Sequence, residues 1–332
     1  MVNRSDRDPP SLNTCPSFEL FGEMRRGSAK SIRARRLRLA QQAGYKPAAS
    51  SVDHHTEETL PSGGVHITCM TSQANGDVLL IERVGKHILV ATLNRPDKRN
   101  AINGHIANAL HDAVQTAESE PDIRVAVLAS SSPRTFCAGA DLSEVMKPGG
   151  GGMVHPVSGF AGFVNSRRMK PWIAAVGGIA VAGGCEILLA CDMRVCGESA
   201  EFGLPEVKRG LVAGAGGVSR LPRQLPRAIA LELIATGERI GARRAYELGF
   251  VNRVVPDGQE RAEALKLAEA IAVNAPVAVK EALNIARQAF DHSDEELFAL
   301  TTEALRRLMK TKDFQEGPRA FLEKRAPVWT GE

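Results

Sequence analysis

A chain of 332 residues with 43% hydrophobic side chains is long enough to bury one large core or two. Its 42 basic and 38 acidic side chains are interspersed and leave a net charge of +4, which speaks against a surface built for nucleic acid or anionic lipid. No apolar run reaches the roughly 18 residues that cross a bilayer, because glycines and Glu186 interrupt the apolar stretch at 173–191.

Residues 1–69 are rich in Arg, Ser, Pro and Asp and contain the basic stretch RRGSAKSIRARRLRLAQQ. Asp6, Asp8, Glu19 and Glu23 argue against a transit peptide, and a signal-peptide apolar region is missing. The segment reads as a disordered extension, or as sequence upstream of a true start at Met70. From Val78 the pattern is regular. VLLIERV and HILVATL are strand-like runs separated by Gly85 and Lys86, which predicts a hairpin. NRPDKRNAI then feeds a helix through NGHIANALHDAVQTAES, with Ile106, Leu110 and Val114 at helical spacing. DIRVAVLAS reads as a buried parallel strand, and SSPRTFCAGADLSEV as a loop opening a helix.

Strand IAAV, a helix over Cys185–Ala190, strand MRVCG and strand FVNRVV continue the alternation. This is the βαβ pattern of a parallel sheet covered by helices, so the fold class is α/β. AIALELIATG, ARRAYELG, ERAEALKLAEAIAVNA, PVAVKEALNIARQAF and DEELFALTTEALRRLMK are helical, with few strands between them. The core is expected over 70–270, followed by a helical region at 271–332 that offers surface for oligomer contacts. Cys185, Cys191 and Cys196 lie in apolar surroundings without metal-ligand spacing. They read as buried free thiols in a reducing compartment, hence a cytoplasmic protein with no bound metal.

The stretch at 170–206, KPWIAAVGGIAVAGGCEILLACDMRVCGESAEFGLPE, carries the candidate chemistry. Its apolar run meets Gly183 and Gly184 and continues as CEILLACD, which predicts a buried strand turning tightly into a buried helix. Such a turn points free N–H groups, at the positive end of a helix dipole, toward a ligand. Glu186 lies one turn further on, and Glu206 follows Leu204-Pro205. Two carboxylates near one set of N–H donors are the material for an oxyanion hole flanked by acid–base groups. A surface role for Glu186 is a poor account, since CEILLAC is apolar on every side and an unpartnered carboxylate there is costly. For Glu206 taken alone, an ordinary strand-end residue is a tenable reading.

Three stretches in this order and spacing carry a family resemblance: FCAGADL at 136–142, IAAVGGIAVAGGCEILLACD at 173–192 and FGLPEVKRGLVAGAGGVSRLPR at 202–223. With FLEKRAPVW at 321–329, they make the chain from about Val78 to Trp329 resemble the crotonase superfamily, enoyl-CoA hydratases in particular. A dinucleotide-binding reading of the glycines fails, because no G-x-G-x-x-G opens the first strand–helix unit. The resemblance implies a spiral of ββα units with two roughly perpendicular sheets, and C-terminal helices that build a homotrimer, often paired into a hexamer. It implies an acyl-CoA thioester substrate, coenzyme A being part of that substrate, and no separate cofactor.

By motif position the resemblance places the thioester oxygen on the N–H groups of Ala140 and Gly183. Glu186 helps activate water for attack on Cβ, and Glu206 delivers a proton to Cα. Ala138, Asp141 and Leu142 of the first motif, Lys98 and Arg99 in NRPDKRN, and Phe321 and Lys324 in the last helix fall at coenzyme A-binding positions. Arg134 has similar standing. For Asp141 a helix-capping role is preferred; for Lys98 and Arg99 a solvated turn weighs equally. Met153, Phe160 and Phe163, in the glycine-rich and flexible-looking stretch 147–163, are candidate acyl-pocket residues. Trp172 is expected to pack, and His87, His105, His111, His155 and His292 to carry no chemistry. Gly177-Gly178 and the run Ala213–Gly217 depart from many relatives, and neither has a chemical role on this reading. The rivals are carnitinyl-CoA dehydratase-like activity, double-bond isomerisation, which needs one carboxylate, and non-catalytic acyl-CoA binding.

Overall fold

The computed structural model describes residues 67–69, 77–147 and 151–332. The reading of residues 1–66 as an extension lies outside them. The described fold opens ahead of Met70: β1 (Ile67–Cys69) pairs antiparallel with β2 (Leu79–Val84). The predicted hairpin follows, with β2 antiparallel to β3 (Ile88–Leu93) and Val84 opposite Ile88 across Gly85.

Beyond β3 the sheet turns parallel, through β4 (Val125–Ser130), β8 (Trp172–Val176), β10 (Met193–Gly197) and β13 (Arg253–Val255). A strand buried on both faces must be apolar along its buried length, and β4 from Val125 to Ala129 and the whole of β8 are. Their alternate side chains serve two cores. Val125, Val127, Ile173 and Ala175 face α7 (Glu260–Ala272) through its Ala264, Ala268 and Ala272. Ala126, Leu128, Trp172 and Ala174 face the main core with α1 (Gly104–Ser119). Helix α1 buries Ile106, Leu110 and Val114, the residues its spacing predicted, and Asn103 caps it by accepting the Ile106 N–H at 3.0 Å.

A second sheet has the order β12 (Arg239–Gly241), β11 (Glu201–Gly203), β9 (Ile179–Val181) and β5 (Thr135–Cys137). The run IAAVGGIAV, expected as one strand, is therefore two. It breaks at Gly177-Gly178, where Gly178 has φ of +65° and a side chain would run into the Arg134 carbonyl. β8 stays in the first sheet and β9 crosses to the second. The sequence SSPRTFC, read as a loop, likewise supplies β5, because only the sheet pairing with β9 makes so short a segment a strand.

The stretch 147–163 is not a plain linker over its described residues. Met153, Phe160 and Phe163 are buried, and a small hairpin of β6 (Val154–His155) and β7 (Gly159–Phe160) packs on α1. Within it the His155 ring stacks on His111 at 3.8 Å, and His111 Nδ1 lies 2.6 Å from Ser158 Oγ. Trp172 packs edge-on against Phe163, as expected of a core residue. The C-terminal helices are α8 (Pro276–Ala286), α9 (Asp294–Leu308) and α10 (Lys312–Leu322). Behind α10 the chain folds back onto the end of α7 and onto α10 itself: Trp329 Nε1 donates to Val273 O at 2.7 Å, and buried Asp313 accepts the N–H groups of Thr330 and Gly331.

Candidate active site

The site forms where β5, β9 and β11 of the second sheet meet the start of α3 (Gly183–Ala190). Every residue from Gly183 to Leu189 is buried, Glu186 included at 4% exposure. The chain enters α3 through Ala182, a non-glycine residue at φ of +53°. That conformation is costly for alanine and persists only where surrounding packing dictates it. Here Ala182 N–H donates to Gly203 O at 3.0 Å, tying the turn to β11.

Against this turn lies the end of β5. Gly139 has φ of +95°, and a side chain there would meet Ala182 Cβ at 2.8 Å and Gly183 N at 3.0 Å. Two backbones so close require glycine. Next to it, Ala140 bridges Ile102 in parallel: Ile102 N–H donates to Gly139 O at 2.8 Å, and Asp141 N–H to Ile102 O at 2.9 Å. That pattern uses the neighbours' groups and turns the Ala140 N–H away from the bridge. The backbones on which Ala140 and Gly183 stand are thus brought side by side. Phe160 covers the other flank of Gly183, its Cε1 2.5 Å from where a Cβ would stand.

Glu186 Oε1 accepts the N–H of Gly217 at 2.8 Å, at the first residue of α4 (Gly217–Gln224). Burial foremost, and the neighbouring Glu206 charge, push its carboxyl up to about 7, while the Gly217 and Ala215 N–H groups and Arg220 pull the other way. The expectation that the run Ala213–Gly217 has no chemical role is thereby corrected. A glycine cluster opening an amphipathic helix was the available signal, since the N–H groups of a first helical turn lack internal partners.

Glu206 stands on a 3-10 turn, Pro205–Arg209, directly after β11. Its Oε2 is buried without a hydrogen-bond partner among the described residues, and burial raises its carboxyl above the ordinary range. The structure therefore sets near each other two carboxyls that burial makes harder to ionise than a carboxyl in water. One is held by a helix N-terminus and the other is open on one oxygen.

Asp141 is a helix cap: it precedes α2 (Leu142–Val145) and accepts from Ser143 N–H at 3.2 Å and Ser143 Oγ at 2.7 Å. Arg95 donates to it at 3.2 Å, and the Ser143 bonds with that guanidinium hold its carboxyl low. Ala138 is tied to the NRPDKRN turn, its N–H donating to Arg99 O at 3.1 Å. Lys98 ends a 3-10 turn, Pro96–Lys98, and Arg99 follows at φ of +52°. Leu142 is exposed on α2. Phe321, 83% exposed, is on the last turn of α10 and Lys324 follows just beyond it, both far along the chain from the Gly183–Glu186 turn.

Sequence reasoning missed Asn100, which is fully buried. It accepts the Arg95 N–H at 2.7 Å and donates to Ser130 Oγ and Phe136 O at 2.8 and 3.0 Å. A polar residue amid the charges of NRPDKRN gives no sign that it will be buried; the positive φ favoured by Asn is the only hint. Cys137, Cys185, Cys191 and Cys196 are buried thiols, each pushed up to about 12 by burial. Among the described residues no group of three potential metal ligands occurs, and no helix is long and apolar enough to cross a membrane.

The family model described as enoyl-CoA hydratase/isomerase matches residues 83–332. Enoyl-CoA hydratase EchA19 of Mycobacterium tuberculosis is 41% identical over 264 residues, covering 78% of this chain and 98% of its own. Carnitinyl-CoA dehydratase of Proteus mirabilis is 38% identical over 249 residues, covering 74% and 95%. A crystal structure of an enoyl-CoA hydratase from Mycobacterium tuberculosis H37Rv superposes with a TM-score of 0.74 at 40% identity, over 77% of this chain and 99% of that one. The two-sheet α/β architecture is thus the crotonase fold, and the chain is an enzyme of the enoyl-CoA hydratase/isomerase family.

Proposed function

We propose that this protein is an enoyl-CoA hydratase, adding water reversibly and syn across a trans-2-enoyl-CoA to give a 3-hydroxyacyl-CoA. The observation that carries the reading is the pair Glu186, buried at the Gly183 turn, and Glu206, partly buried with its Oε2 enclosed on the Pro205 turn, the charge of Glu206 acting on Glu186. Addition begins as water oxygen bonds to Cβ while a water proton passes to ionised Glu186. The double-bond electrons move toward the thioester, and the negative charge on its oxygen is met by the N–H groups of Ala140 and Gly183. Loss of one such donor costs on the order of 10²–10³ in rate in other enzymes. Protonated Glu206 then gives its proton to Cα, and the electron pair returns there as the C–H bond. Exchange with solvent restores the starting protonation of both carboxyls.

A carboxyl near 7 is half ionised at neutral pH, which suits a group that must take a proton in one direction and return it in the other. Dehydration of a carnitinyl-like thioester is the same chemistry reversed. Isomerisation would leave one of the two carboxyls idle. Within this reading Lys98 and Arg99, with Ala138, Asp141 and Leu142 beside them, lie along the coenzyme A path. Phe321 and Lys324 would reach it from a neighbouring copy in a trimer or hexamer. The exposed aromatic residues of α9 and α10 support such an assembly. We place the enzyme in the cytoplasm, in acyl-CoA or fatty-acid degradation, with no cofactor beyond the substrate's own coenzyme A.

The test is loss of the conjugated thioester absorbance with crotonyl-CoA and a series of longer enoyl-CoAs. Turnover on at least one chain length is expected. Tight acyl-CoA binding with no turnover on any would overturn the reading in favour of a binding protein.

A further inference from the structure

Arg220 has an arrangement that the reaction scheme does not use. It sits one turn into α4, partly buried, and its guanidinium spans two parts of the site. On one side Nη2 donates to Val164 O at 2.6 Å and lies 3.5 Å from Asn165 Oδ1. Both belong to the turn that follows β7, where Val164 N–H also donates to Phe160 O at 3.2 Å. Phe160 in turn lies against Gly183. On the other side Nη1 donates to Ala215 O at 3.3 Å and would touch any Cβ placed on Gly216 at 2.5 Å. Ala215 and Gly217 are the residues whose N–H groups hold Glu186.

We infer that Arg220 is a positioning residue: it locks the wall segment Phe160–Asn165 to the Ala215–Gly217 turn that holds Glu186, and sets a positive charge beside that carboxylate. The inference rests on the hydratase reading only for its kinetic arm. An acyl group that displaces Phe160 pulls on the same turn that orients the base, so wall position and base orientation are mechanically linked. The groups facing Glu186 are few. Glu206 approaches from the 3-10 turn, Cys185 adjoins it on α3 as a neutral thiol, and Arg220 is the cation from α4. An opposite charge favours the ionised carboxylate, so removing it must raise the pH at which Glu186 ionises.

Arg220→Gln and Arg220→Lys separate the two roles. In R220Q the acid limb of the kcat/KM profile with crotonyl-CoA is expected to move up by about one pH unit. An infrared titration of the Glu186 carboxyl, assigned by difference from E186Q, should move up by the same amount. R220K keeps the charge and loses the planar two-carbonyl clamp, so its limb stays in place while KM for the longest accepted acyl chain rises several-fold. A limb and a carboxyl titration unmoved in R220Q would overturn the charge role; an R220K enzyme with parental KM at every chain length would overturn the clamp. If the parent protein turns over no enoyl-CoA, the hydratase reading fails, yet the infrared titration of parent and R220Q still decides this one.

Discussion

The turn around Gly183 and the C-terminal helices are built on opposite plans. Around Gly183 nearly everything is buried, apolar or glycine; Glu186 is inside, and Glu206 turns one enclosed carboxylate oxygen inward. In α8–α10 the polar groups are paired in the open. Ser293 and Glu296 form a capping box, Arg307 grips Glu281 with two bonds of 2.8 Å, and Arg325 grips Glu316. The aromatic residues there are left outside, Phe298 at 74% exposure and Phe321 at 83%. The first region gives up stability to create a small reactive volume. The second pairs its polar groups and leaves large apolar ones exposed.

Three substitutions, one of them measured in two ways, would break or sharpen that contrast. The largest effect belongs to the site: Glu186→Gln keeps the size and the acceptor for Gly217 N–H but cannot take a proton. Turnover of crotonyl-CoA should fall about 10²–10⁴-fold with acyl-CoA affinity retained, measured by steady-state kinetics and calorimetric binding. Full activity would remove Glu186 from the mechanism.

The same variant tests the cost of the buried acid. Glu186 ionises near 7 in the fold against an ordinary 4.5. Between those values the folded chain keeps a proton that the unfolded chain has lost, so the parent loses stability as pH rises through that window. Relative to the parent, E186Q should therefore be more stable at pH 8 than at pH 4 by about 2–3 kcal/mol, read as the difference between denaturant unfolding curves. A difference that does not change with pH would mean the carboxyl is not perturbed.

In the C-terminal region the paired polar groups should matter moderately. Asp313→Ala strands the Thr330 and Gly331 N–H groups and should cost about 1–2 kcal/mol, with faster amide exchange confined to the tail around Trp329. The exposed aromatics should matter least to the fold itself. Phe298→Ser is expected to change single-chain stability by no more than about 0.5 kcal/mol, while sedimentation shows a smaller assembly than the parent. An unchanged assembly would separate this face from oligomer formation.

Much of this was readable beforehand, for reasons that differ by region. Ile106, Leu110 and Val114 announce α1 because helical spacing is local, and the Gly85 hairpin is equally local. The order of the three glycine-rich motifs marks Glu186 and Glu206 even though they join only in three dimensions. What escaped notice depends on distant partners. β5 exists because β9 lies beside it, and IAAVGGIAV splits because one glycine pair redirects the chain into another sheet. Gly217 and Arg220 act through a backbone N–H and two carbonyls, groups that every sequence has and no side-chain pattern reveals. The stacked pair His111 and His155 lies 44 positions apart by number, with no spacing to betray it.

The bond between Gly217 N–H and Glu186 also fixes an order in time. The two residues are separated by 31 positions, and β11 and the Pro205 turn lie between them. During synthesis α3 emerges with its carboxylate already attached to an apolar helix, before the groups that will hold it exist. Contacts of long sequence separation form late because loop closure must precede them. Until α4 forms, the Glu186 carboxyl is without its Gly217 partner and is satisfied only by water or by a proton. A chain stalled short of Gly217 would lack the N–H that holds the Glu186 carboxyl in the finished fold.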